Sequence, residues 1–133
     1  MIKRIAWTGL VLLSANAAAD TPGSFMARYA QQAGMAVTAL SPTRGEALYR
    51  SEHPGRNGTA QSCASCHTAN PKQAGQTRVG KRIEPLAPTA NPERFTDAVK
   101  AEKWFRRNCT DVLQRECSAQ EKGDFIAWLN QIK

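Results

Sequence analysis

Apolar residues recur along this chain at the three- and four-residue spacing of helices. From Ser24 to Ala33 the apolar set is Phe25, Met26, Tyr29, Ala30 and Ala33, which predicts a short helix ended by Gly34. Ser41 and Pro42 form an N-cap followed by proline at the first helical position. The helix they open carries Ala47, Leu48 and Tyr49 and stops before His53-Pro54-Gly55. A polar loop, Gly55 to Ser62, follows. Between Asn70 and Pro92 the chain holds Pro71, Gly75, Gly80, Pro85, Pro88 and Pro92, and no regular element of useful length fits there. Asn91-Pro92-Glu93 repeats the cap-and-proline pattern and predicts a helix to about Arg107, with Phe95, Ala98, Val99, Ala101, Trp104 and Phe105 on its apolar side. Ser118-x-x-Glu121 is a capping box before a last helix carrying Phe125, Ile126, Leu129 and Ile132, with Lys133 at its negative end. The pattern is all-α, without an internal repeat.

Between the second predicted helix and the irregular loop stands Cys63-Ala64-Ser65-Cys66-His67, a C-x-x-C-H motif. Covalent haem attachment needs this spacing, because two thiols must reach the two vinyl groups of one porphyrin while the next side chain presents an imidazole to the iron. His67 is then the proximal axial ligand, and Cys63 and Cys66 carry the thioether bonds. A dithiol redox pair would want a βαβ context, which is missing, and a zinc site would want a second ligand pair at matching spacing. A second C-x-x-C-H is absent, so the expected cofactor is a single covalent haem c. A carbonyl near Pro85 is placed to accept the Nδ1 proton of His67 and fix its tautomer.

The N-terminal stretch changes what counts as the domain. Lys3 and Arg4, an apolar run from Ile5 to Leu13 and Ala17-Ala18-Ala19 make residues 1–19 a secretory signal peptide cleaved near Ala19, leaving a domain of residues 20–133. The apolar run is about half of the ~20 residues needed to cross a bilayer, so no membrane span is expected in the mature protein. An exported, periplasmic location follows. Removing two basic side chains lowers the net charge from +7 to +5. In an exported chain without a nucleic-acid motif, that balance points to acidic protein partners or small anions and away from DNA. So small a domain buries one modest core, much of whose apolar surface the porphyrin would supply.

The sixth iron position is less determined. A methionine placed well after the motif would mark an ordinary electron-transfer cytochrome, but the three methionines, Met1, Met26 and Met35, all precede Cys63. His53 sits in a Glu-His-Pro-Gly turn, where a solvated loop histidine competes with a distal ligand. At about 100° per residue, Asn108 falls between Trp104 and Phe105 on the apolar side of its helix. There it either ligates iron or caps the helix C-terminus. Cys109 and Cys117 form an even pair outside the haem motif, which in an exported chain reads as a disulfide bracing the backbone beside Asn108.

The haem motif, together with Ala74-Gly75-Gln76-Thr77-Arg78, Pro85-Leu86-Ala87-Pro88, Arg94-Phe95-Thr96-Asp97, Glu102-Lys103-Trp104 and Arg107-Asn108-Cys109, resembles the sphaeroides haem protein family over nearly the whole mature chain. Departures lie chiefly in the loop before Cys63 and at the N-terminus. The resemblance implies an exported monohaem cytochrome with a class I cytochrome c fold, His67 and Asn108 as axial ligands, and a Cys109–Cys117 disulfide. It further implies that the asparagine leaves the iron on reduction, that diatomic gases such as oxygen, nitric oxide and carbon monoxide then bind, and that a dihaem cytochrome c donates the electron.

Three functions share these residues: a gas-binding cytochrome with a redox-gated distal site, a plain electron shuttle, and a terminal reductase of oxygen, peroxide or nitric oxide. All three need covalent attachment. Denatured protein should therefore keep its haem on a gel and through acidic organic extraction, and Cys63→Ala with Cys66→Ala should lose it. Haem released from the unmodified protein would sink the assignment.

Overall fold

The computed structural model describes residues 19–55 and 57–133; apart from Ala19, the predicted signal peptide lies outside the described residues. Along the chain run α1 (Pro22–Gln32), a 3-10 turn (Val37–Ala39), α2 (Pro42–Arg50), α3 (Ala64–His67), α4 (Ala98–Leu113) and α5 (Ala119–Gln131). Short antiparallel pairings fasten the loops: β1 (His53–Pro54) with β2 (Ala60–Gln61), and β3 (Gly75–Gln76) with β4 (Arg82–Ile83). The all-α class follows from the helical periodicity.

Caps set where the helices begin. The Thr21 and Ser118 side chains close capping boxes on α1 and α5, and Ser41 accepts the Arg44 N–H at the start of α2. Helix α5 is the spine, with α1 and α2 both packed along it. At Gly45 an added Cβ would stand 2.1 Å from the Asp124 carbonyl oxygen, so α2 and α5 meet backbone to backbone. Buried Asp124 secures that crossing: its carboxylate accepts the Ser41 N–H at 2.6 Å and pairs with Arg44 Nε at 2.7 Å. Tyr49 and Trp128 pack across it at 4.8 Å between ring centroids, beside Leu86 and Leu129. Phe25, Tyr29 and Ile126 fill the space between α1 and α5. Met26 and Met35 pack against Ala30, Leu40 and Ala127.

Helix α4 departs from the sequence reading at both ends. Asn91 to Arg94 is an isolated turn, with the Arg94 N–H donating to the Asn91 carbonyl at 3.0 Å, and the true cap is Asp97, whose side chain accepts the Lys100 N–H at 2.9 Å. Arg94 causes the break. Its guanidinium is drawn back onto the carbonyls of Pro85 (2.8 Å) and Glu84 (2.6 Å), and Phe95 then turns the chain at φ +60°. Beyond Arg107 the helix continues to Leu113 and closes on Gln114 at φ +58°.

Loop 68–97 folds back on itself, since the Pro71 carbonyl accepts the N–H groups of Leu86 (2.9 Å) and Ala87 (3.0 Å). The β3–β4 hairpin inside it was hidden by the glycines and prolines. At Gly75 an added Cβ would lie 1.9 Å from the Cys66 carbonyl oxygen, so this hairpin rests directly on α3. Gly45→Ala and Gly75→Ala should each destabilise the protein by about 1–3 kcal/mol, because the nearest atoms are backbone and cannot rotate away. Gly23, whose added Cβ meets only Thr21 Oγ1 at 3.7 Å, is the control, and Gly23→Ala should leave stability unchanged or slightly raised. Denaturant unfolding checks all three; equal effects would mean that the close contacts are not what these glycines serve.

Candidate haem site

The haem motif occupies α3, a single helical turn. The Ser65 hydroxyl accepts the Ser62 N–H at 2.9 Å, and the Cys63 carbonyl accepts from Cys66 (3.3 Å) and His67 (3.1 Å), which sets both cysteines on one turn with His67 directly after. At Thr68 the chain turns away at φ +66°, its carbonyl held by the hydroxyl of buried Tyr49 at 2.5 Å. Both thiols are free, in contrast to Cys109 and Cys117, which are joined with their Cα atoms 5.6 Å apart. Burial pushes the Cys63 thiol up to about 11. That is the opposite of the depressed pKa of a nucleophilic dithiol. Cys63 itself packs against the Tyr49, Leu86, Trp128 and Leu129 cluster.

His67 is half-buried, and burial together with the nearby Arg94 charge lowers its pKa to about 4. The imidazole is therefore neutral at physiological pH, the form that ligates metal. The Pro85 carbonyl does not receive the His67 proton as expected. It accepts instead from Arg94 Nε at 2.8 Å and Asn91 Nδ2 at 3.3 Å. Arg94, half-buried on two backbone carbonyls, entered the sequence reading only within the family-like stretch Arg94-Phe95-Thr96-Asp97, without a role. His53 is engaged locally, its Nε2 2.8 Å from Ser51 Oγ.

Asn108 lies within α4, six residues before its Gln114 cap, which excludes the capping role. It is half-buried, and among the described residues its side-chain amide has no hydrogen-bond partner. The helix that carries it is held mostly by long side chains. The Phe105 ring meets Tyr29 at 6.0 Å and Phe125 at 5.8 Å. Glu102 reaches inward to accept from the Tyr29 hydroxyl at 2.5 Å and from Lys122 Nζ at 2.8 Å. Toward the C-terminal end, Gln61 Nε2 donates to the Asp111 carbonyl at 2.5 Å, Gln114 bonds the Pro54 carbonyl, and the disulfide ties Cys109 to the segment before α5. The Glu102 clamp had a sequence signal: a carboxylate directly after Ala101 on the inward side of the helix.

The donor set fits a covalently attached haem: two reduced thiols on one turn, a neutral imidazole beside them, an uncommitted amide on another helix, and the aromatic rings of Phe95, Phe105 and Phe125. On the outer side of α3 an open cleft of about 650 Å³, lined by Ser65, Cys66, Thr68, Gly75, Arg78 and Arg82 among others, reaches Cys66 but neither His67 nor Asn108.

A family model described as a domain of unknown function (DUF1924) matches residues 35–129. Cytochrome c-type protein SHP of Cereibacter sphaeroides is 46% identical over 120 residues, covering 90% of this chain and 91% of that protein. Cytochrome c'' of Methylophilus methylotrophus is 40% identical over 134 residues, covering 96% of this chain and 93% of that protein. Among solved structures, oxidised SHP, described as an oxygen-binding cytochrome c, superposes with a TM-score of 0.76 at 45% identity, covering 84% of this chain and 96% of its own. Oxidised cytochrome c'' from Methylophilus methylotrophus gives 0.76 at 38% identity, covering 84% of this chain and 94% of its own. The solution structure of the same cytochrome, described in terms of haem-ligand detachment, gives 0.70 at 36% identity over 84% of this chain and 93% of its own. These matches establish the class I cytochrome c-like helical architecture and the single covalent haem c, and the chain belongs to the sphaeroides haem protein family of c-type cytochromes.

Proposed function

We propose that this chain is an exported c-type cytochrome that binds diatomic gases at a distal site opened by reduction, with Cys63 and Cys66 carrying the haem, His67 as proximal ligand and Asn108 as the gate. The observation that carries this reading is Asn108 itself, a half-buried amide inside a helix with no partner among the described residues. An amide that no other group of the protein holds is available to a ligand. The relatives described as oxygen-binding and as showing haem-ligand detachment support the same reading. Secretion through the signal peptide of residues 1–19 places the protein in the periplasm, where a protein donor, by family likeness a dihaem cytochrome c, reduces it.

When bound, the haem supplies an iron that changes charge by one electron and, when ferrous, favours π-accepting diatomic ligands. Asn108 offers a neutral amide oxygen, a hard donor without π-acceptor capacity, which a ferric centre holds better than a ferrous one. Reduction would therefore weaken the hold on this oxygen. The freed side chain stays on α4, whose position Glu102, Phe105 and the Cys109–Cys117 disulfide keep fixed. From there its NH₂ could donate a hydrogen bond to a diatomic ligand that accepts one, such as oxygen, and would give less to carbon monoxide. His67, held neutral by burial and by Arg94, would hold the iron from the proximal side in both redox states.

Reduced wild type should bind carbon monoxide readily, Asn108→Ala at least as fast, and Asn108→Met slowly or not at all, because a thioether is a soft ferrous ligand. Absorption spectra with and without carbon monoxide check this. If the reduced wild type shows no spectral change while Asn108→Ala does, the amide stays on the iron and the protein is an electron shuttle.

A further inference from the structure

Two groups of cations among the described residues differ in their partners. Arg28, Arg44, Arg50, Arg82, Arg115 and Lys122 each sit within 2.9 Å of a carboxylate oxygen. Lys100, Lys103, Arg106 and Arg107, all on α4, have no carboxylate partner among the described residues, and all four are exposed. At about 100° per residue they share the outer side of the helix, opposite Phe105 and Cys109. Their spacings of three and four place like charges next to one another, which repels. Such an arrangement weakens the isolated helix, and a partner of opposite charge would reverse that cost.

Two exposed apolar residues accompany the cations. Val99 is 82% exposed and Trp104 40%, with Lys103 Nζ at 6.0 Å and Arg107 Cζ at 5.5 Å from the Trp104 ring centre. Tryptophan and arginine around a small apolar centre are the composition of a protein-docking patch. Two apolar side chains are too few to enter a bilayer, which argues against a lipid surface. A rival patch exists on the β3–β4 hairpin, where Val79 is 81% exposed between Arg78 and Lys81. There Arg82 is already paired with Glu84 and Arg78 donates to the Gln61 side chain, which leaves Lys81 alone.

We propose that the outer face of α4, Lys100, Lys103, Arg106 and Arg107 around Val99 with Trp104 at its edge, is the docking surface for an acidic electron-donor protein. The assignment rests on the reading of this chain as a cytochrome reduced by a protein, and adds where that protein sits and what it must carry: a cluster of Asp and Glu side chains around an apolar contact. Trp104 stands one helical turn before Asn108, so the donor would rest on the helix that bears the gate.

The test uses the haem-loaded protein and reduced flavodoxin as an acidic one-electron donor, with stopped-flow reduction followed at low and high ionic strength. Wild type should be reduced about tenfold or more faster at low salt. The variant Lys100→Gln, Lys103→Gln, Arg106→Gln, Arg107→Gln keeps helix propensity and should lose both the fast rate and its salt dependence. On the hairpin, Lys81→Gln should follow wild type, and the neutral deazariboflavin radical should reduce all three proteins equally. If the salt-dependent rate survives the α4 changes, or is lost with the hairpin change, the assignment to α4 is wrong. Wild-type rates with flavodoxin that are flat in salt overturn the protein-donor reading along with it. Binding of wild type to phosphatidylglycerol vesicles that the α4 changes abolish, with flavodoxin rates untouched, would give the face to a membrane instead.

Discussion

One turn of helix must present two thiols and an imidazole to a single ligand, and one turn cannot hold itself together in water. Most of the loop structure answers that constraint. The β3–β4 hairpin lies on the Cys66 carbonyl so closely that only glycine fits at position 75. Tyr49, buried on α2, grips the Thr68 carbonyl as the chain leaves His67, and Cys63 packs into the cluster that Tyr49 builds with Trp128. Arg94 closes the far side, joining loop 84–85 to the turn before α4 and setting its charge near the imidazole. The α2–α5 crossing at Gly45 matters to the site because it fixes the residue that fixes the haem turn.

Helix α4 is held in a different way. Helix α4 meets the rest of the protein through side chains of several chemistries: an aromatic ring, a carboxylate shared between Tyr29 and Lys122, backbone carbonyls of Pro54 and Asp111 held by glutamine amides, and a disulfide. None of these uses Asn108. A helix anchored on both sides of Asn108 leaves that amide uncommitted, as the proposed ligand exchange requires.

The periodicity of Phe25, Met26 and Tyr29 and of Phe125, Ile126 and Leu129 marked α1 and α5 because their packing is local and amphipathic. The haem motif was legible because its chemistry is confined to five consecutive residues. The limits of α4 were not, since Asn91-Pro92 is a sound cap on local grounds and only the contact of Arg94 with carbonyls 84 and 85, ten and nine residues back, overrides it. The same holds for Gly75, whose role depends on a hairpin seating itself on α3, and for the Pro85 carbonyl, claimed by an arginine and an asparagine ahead of His67. Asn108 lay between the two cases: spacing put it on the apolar side of its helix, and only the observed helix end removed the cap as its explanation.

The central claim is that the iron loses its sixth ligand on reduction because that ligand is Asn108. Resonance Raman spectra of the ferric and ferrous protein, recorded without any added gas, report coordination number directly. The account predicts six-coordinate markers in the ferric protein and five-coordinate markers in the ferrous protein, with Asn108→Ala lacking the six-coordinate protein-ligated form in both states. Six-coordinate markers in the reduced wild type would contradict it.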